Sequence, residues 1–190
     1  LDIGNYNGSW DKLFGKSIKV FRKFSQFLLI TDGDTSILDS LKGKVKVLVQ
    51  RCLWHIPYQA KYVLWQDGVK HKSAEWLQVM SELMEICAIR PLVDCEKTIK
   101  KMIESKRKRL ESVIQYCLSK GYTHTASYLK NAMPDMFTAI EKRLKGKTTS
   151  KVERVMRTIN MRVNVSKWSI AGALNVTKIR LAYYYNGFDA

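Results

Sequence analysis

Residues 27–55 read FLLITDGDTSILDSLKGKVKVLVQRCLWH, two apolar runs parted by a short segment of helical spacing. Phe27 to Ile30 is an apolar run that ends in Thr31-Asp32-Gly33, and Val45 to Val49 is a second run that ends in Gln50-Arg51-Cys52-Leu53-Trp54-His55. Both have the length and composition of short buried strands. Between them, Ile37, Leu38 and Leu41 recur at helical spacing behind the cap-like Asp34 and Thr35. Strand, helix, strand predicts a parallel pair, since parallel strands need a crossover of this length. In such sheets the ligand-facing edge lies at the carboxyl ends of the strands. Asp32 stands at one such end, and Cys52 and His55 follow the other.

Outward from this unit the pattern is helical. Before it, Ser9 is placed to cap an amphipathic helix carrying Trp10, Leu13, Phe14 and Phe21. After it, one helix ends near Asp67-Gly68, and Ser73 caps another that carries Leu77, Met80, Leu83 and Met84. A long helix is expected from Asp94 to Lys120 beyond Pro91, and two shorter ones at Thr125–Lys130 and Pro134–Leu144. Further helices are expected from Ser150 through Ile159 and from Ser166 through Tyr185. The segment Lys145-Gly146-Lys147-Thr148 contains Gly-Lys-Thr, but Glu141 stands where a phosphate loop needs its first glycine, and a helix precedes it. It reads as a polar break.

The 190 residues carry 33 Lys and Arg against 17 Asp and Glu, a formal charge of +16. That balance favours a polyanionic partner, because neutralised phosphates release counterions. No apolar run approaches the twenty residues of a membrane span, so a membrane partner is not expected. Cys52, Cys87, Cys95 and Cys117 are not spaced as a disulfide framework, which suits a reducing compartment.

Thr31-Asp32-Gly33-Asp34, followed some twenty residues later by Arg51-Cys52-Leu53-Trp54-His55, resembles the second acidic block and C-x2-H signature of Mutator-like transposases and their bacterial insertion-sequence relatives. The resemblance implies an α/β fold, helix-dominated overall, with a partial ribonuclease-H-like sheet and a large all-helical insertion. It divides the chain into a partial core at 1–55, the insertion at 56–145, and C-terminal helices completing the core at 146–190. It implies metal-dependent cleavage and strand transfer at transposon ends, with Mg2+ or Mn2+ held by Asp32 and Glu153. Glu153 is the first acid after the insertion, in the Glu153-Arg154 context the family shows. Cys52 and His55 are accessory residues near that edge. DNA, as transposon ends and target, is the implied partner, in a homo-oligomer located in the cytoplasm with the nucleoid.

The family's first Asp has no match here, since Asp2 lies in a Gly/Asn-rich loop and Asp11 at a helix start. The chain is therefore expected to be the C-terminal part of such an enzyme, truncated and inactive in strand transfer alone. Each residue also has a plain reading. Asp32 suits a turn, Ser150-x-x-Glu153 fits a capping box, and Cys52 suits a core. Lys100, Lys101, Lys106, Arg107, Lys108 and Arg109, with Lys151, Arg154 and Arg157, are assigned to DNA phosphates. Trp54, Trp65 and Trp76 are assigned to core packing in preference to base stacking. The alternatives to a transposase are a non-catalytic, basic, helical nucleic-acid-binding protein and a ribonuclease-H-like nuclease.

Overall fold

The computed structural model describes residues 6–24, 26–89, 96–146, 148–163 and 168–186. The expectations placed on Asp2, Pro91, Asp94, Cys95 and Ser166, and on the side chains of Ser150, Lys151 and Ile159, fall outside the described residues, and the cap expected at Ser9 is overturned because the first helix already begins at Tyr6. The elements are α1 (Tyr6–Phe21), β1 (Phe27–Thr31), α2 (Thr35–Leu41), β2 (Val47–Arg51), α3 (His55–Gln66), α4 (Ala74–Cys87) and α5 (Glu96–Ser119). They continue as α6 (Thr123–Ala132), a 3-10 turn (Met133–Asp135), α7 (Thr138–Glu141), α8 (Ser150–Val163) and α9 (Ile170–Asn186). The fold is thus mixed α/β and rich in helix, and β1 and β2 form a parallel pair.

The second strand sits two residues later than its apolar run suggests. The amide of Val45 is taken by the Leu41 carbonyl at the end of α2, at 3.4 Å. Gln50 and Arg51 instead pair with Ile30 and Thr31. The helix expected over Pro134–Leu144 is also broken, because Pro134 opens the 3-10 turn and Phe137 leaves helical geometry at φ −119° before α7 begins.

The chain divides into two compact units. One comprises Phe27–Asp34 and Val47–Thr148, and so holds both strands and α3 to α7; α1, α2, α8 and α9 belong to the other. In the first unit the core is built by Leu53, Ile56 and Leu64, by Leu83 and Ile86, by Leu110 and Ile114, and by Leu129, Met136 and Phe137. Ser73 caps α4 as its sequence predicts, its Oγ accepting from the Trp76 amide at 3.2 Å. Asp67, just past α3, reaches across to start α6. Its carboxylate accepts from the His124 and Thr125 amides at 2.9 and 2.8 Å and from the Thr125 hydroxyl at 2.7 Å. This long-range cap satisfies amides that the helix itself leaves open, which explains why α6 starts earlier than its apolar pattern.

Gln50 ties β2 to the turn before α7. Fully buried, it donates from Nε2 to the carbonyl oxygens of Met136 and Arg51, each at 2.6 Å, and accepts at Oε1 from the Ala139 amide at 2.8 Å. In the second unit α1 packs on α2 and α8 on α9. Trp10 stacks on the buried Phe14 at 5.9 Å, and Asp11 pairs with Lys44 at 2.8 Å, so that acid is engaged in joining α1 to the end of α2.

Candidate functional site

The parallel register places Thr31 beside Arg51, so β1 and β2 finish level and both chain exits lie at one edge. The Cys52 amide bonds to the Thr31 carbonyl at 2.8 Å, which carries the pairing one residue beyond β2. Asp32 follows Thr31 and is exposed. Its Oδ1 accepts from the Asp34 amide at 3.3 Å and from the Thr31 hydroxyl at 3.4 Å, and the Gly33 amide bonds to Thr31 Oγ1 at 3.2 Å. The turn reading of Asp32 is therefore realised through one oxygen. Oδ2 has no hydrogen-bond partner among the described residues, so a turn role and a ligand role do not compete for the same atom.

Arg51 organises this edge. Its Nη1 donates to the Asp32 carbonyl oxygen at 3.2 Å and its Nη2 to that of Asn131 at 3.3 Å, which joins the two strand ends to α6. Burial raises the Tyr128 hydroxyl to about 12 against the opposing pull of Arg51, and the Asp135 carboxyl is likewise raised by burial with Arg51 opposing. Arg51 Nε and the Tyr128 hydroxyl are both buried with no hydrogen-bond partner among the described residues. Gly33 is indispensable to this arrangement. It adopts φ +118°, and a Cβ there would overlap Arg51 Nη1. Gly33→Ala must therefore strain the backbone and expel the guanidinium from the edge. The expected cost is about 2–3 kcal/mol, read as a lowered urea midpoint, whereas Gly43→Ala, with nothing within 4 Å, pays only for its φ of +73°.

Cys52 is wholly buried, as the plain reading of a free cysteine has it, and a tight turn links it to α3 with the His55 amide on the Cys52 carbonyl at 3.1 Å. The His55 ring is half-buried and meets Trp54 edge-on at 4.9 Å and Tyr58 edge-on at 6.1 Å. No group of three or more His, Cys, Asp or Glu residues gathers as a metal cluster among the described residues.

Glu153 lies exposed in the first turn of α8. Its amide bonds to the Thr149 carbonyl at 3.0 Å, so the helix ladder starts one residue earlier than a cap at Ser150 would make it. Arg154 and Arg157 on the same helix are exposed. Asp32 belongs to the first unit and Glu153 to the second.

The basic run on α5 divides in two. Arg109 grips Glu82 of α4 through Nε at 3.1 Å and Nη2 at 2.8 Å, Arg107 pairs with Glu141 at 2.8 Å, and Lys106 donates to the Glu85 carbonyl at 2.6 Å. Burial lowers the Lys106 ammonium from its ordinary value. These three bind α5 to its neighbours. Lys100 pairs along the helix with Glu96 at 3.5 Å, and Lys101 and Lys108 point to solvent.

The tryptophans correct the expectation. Trp76 does pack against the core, but Trp54, just before α3, and Trp65, on it, are exposed. Arg51 and Gln50 were not singled out by sequence, since each acts through a partner distant in the chain. The spacing of Trp54, Tyr58, Tyr62 and Trp65 at intervals of four, four and three was a readable signal of one helix face. No protein-family model, curated protein or solved structure matches this chain.

Proposed function

We propose that this chain supplies two of the metal-binding acids of a transposase of the Asp-Asp-Glu kind, an enzyme of metal-dependent DNA cleavage and strand transfer built on a ribonuclease-H-like core, and that it does not transfer strands alone. The observation that carries the reading is the placement of Asp32. It sits at the carboxyl end of a parallel strand pair, exposed, with its backbone held by Arg51 from the adjacent strand and a C-x2-H turn following that strand. Glu153, exposed at the start of α8 beside Arg154, is the second acid of the reading.

The donor set suits a hard cation. Mg2+ takes one or two carboxylates and completes its shell with water and substrate phosphate, and Asp32 offers one carboxylate oxygen not engaged in the turn. When bound, such ions stabilise the entering and leaving oxygens of an in-line displacement at phosphorus. The chain's own part is to hold Asp32 through Arg51 and Gly33, and to meet phosphates with Lys101, Lys108, Arg154 and Arg157. Homo-oligomeric action on transposon ends at the nucleoid belongs to the same proposal.

A second reading, a basic helical nucleic-acid binder without catalysis, draws on the Asp32 turn bond and on the lack of a three-acid cluster among the described residues. Asp32→Ala and Glu153→Ala separate the two. The transposase reading expects each to weaken Mn2+ binding by about tenfold or more, with duplex affinity kept within about twofold because phosphate contacts supply it. Unchanged Mn2+ binding in both variants would leave the binder.

A further inference from the structure

The side of α3 turned away from the core carries an aromatic array that the proposed metal chemistry does not use. Ile56, Ala60, Val63 and Leu64 are the buried residues of this helix. At about 100° per residue, Trp54, Tyr58, Tyr62 and Trp65 fall within about 80° of one another on the opposite side. They are 53, 41, 45 and 74% exposed. The rings are already arranged: Trp54 and Tyr58 stack at 5.1 Å with planes 17° apart, and Tyr58 meets Tyr62 edge-on at 5.6 Å. Lys61 lies on the same side, its Nζ 3.9 Å from the Tyr58 ring centre and 4.8 Å from that of Tyr62.

Four large rings in water on one helix face form the kind of contiguous apolar patch that marks an interaction surface. Its charge identifies the occupant. The α3 sequence HIPYQAKYVLWQ has a lysine and no acid, in a chain of net charge +16. An unpaired nucleic-acid strand supplies both complements, flat bases for the rings and phosphates for the cation. A duplex supplies only phosphates, because its bases are stacked on one another. Trp54 and Trp65 are eleven residues apart, about 16 Å along the helix, which spans about five nucleotides at a stacked rise of 3.4 Å.

We propose that the face formed by Trp54, Tyr58, Lys61, Tyr62 and Trp65 is a stacking platform for the unpaired bases of a single nucleic-acid strand. The rings take bases without regard to sequence, since every base has a π-face, and Lys61 takes phosphate charge. The platform requires neither Asp32 nor Glu153, so it stands or falls apart from the metal reading.

The test uses the whole chain and three probes: an oligothymidine of about twelve nucleotides, an abasic strand of the same length, and a duplex of the same length. Wild-type protein is expected to bind the oligothymidine about tenfold more tightly than the abasic strand, with quenching of tryptophan fluorescence. Trp54→Ala and Trp65→Ala are each expected to lose about tenfold on the oligothymidine and under about twofold on the duplex. Trp54→Phe and Trp65→Phe, which keep a ring, retain most of the affinity. Lys61→Gln lowers the salt dependence on the single strand by about 0.7 in log–log slope. Equal wild-type affinity for the oligothymidine and the abasic strand overturns the proposal, and that comparison needs no variant to fold. So does an equal loss on the duplex, or alanine variants that bind oligothymidine like wild type, the outcome expected of a face that docks a protein.

Discussion

Replacing Gln50 by alanine is expected to lower the free energy of unfolding by about 4 kcal/mol, read as a large fall in the urea midpoint. Gln50 is fully buried, and its amide group satisfies the Met136 carbonyl and the Ala139 amide, both inside the protein. Alanine leaves two buried main-chain groups without partners, each worth about 1–3 kcal/mol, and adds a cavity. Gln50→Leu fills the space but leaves the same two groups unpaired, so it recovers only the cavity part. Gln50 lies directly before Arg51, so the clasp that holds β2 to the turn before α7 also sets where the Asp32 edge is built.

Phe137→Ala is expected to cost a similar amount, about 4 kcal/mol, by a different route. Phe137 is wholly buried, and the Arg107 guanidinium lies 5.4 Å from its ring centre. Removing the ring opens a cavity between the turn and α5, and strips the Arg107–Glu141 pair of the surface it rests on. Gln50 and Phe137 support the same turn, so the double variant is expected to lose less than the sum of the two. Thermal or urea unfolding of the four proteins measures that shortfall, and strict additivity would show that the turn is not one cooperative piece.

How far the sequence could be read follows the distance between partners. Ser73 was legible because its partner, the Trp76 amide, is three residues away. The parallel pair was legible because a short helix at the right spacing separates two apolar runs. The end of β2 was not, because Gln50 and Arg51 look like strand-ending polar residues, and their partners Met136, Ala139 and Asn131 are 80 or more residues distant. The same holds for the basic run of α5. Lys106, Arg107 and Arg109 read as part of a phosphate-tracking stripe until Glu82, Glu85 and Glu141 arrive from other segments. Trp54 and Trp65 were misplaced for another reason. Aromatic residues bury most often, but on α3 their period matches Tyr58 and Tyr62, while Ile56, Ala60, Val63 and Leu64 occupy the core-facing side.

Asp32 follows β1 and Cys52 follows β2, with His55 opening α3, whereas Arg51, which holds the Asp32 carbonyl oxygen and reaches on to α6, had looked like an ordinary member of a polar run. Its role depends on Gly33 having no side chain, a dependence visible only once the two strands are in register.

Asp32 and Glu153 are proposed as metal ligands. A Mn2+ binding isotherm, followed by electron paramagnetic resonance, for wild type, Asp32→Asn, Glu153→Gln and the double variant decides whether they are. Ligand roles predict that each single change costs about tenfold or more and that the double variant binds no more tightly than either. An isotherm unchanged by both single substitutions rules the ligand roles out.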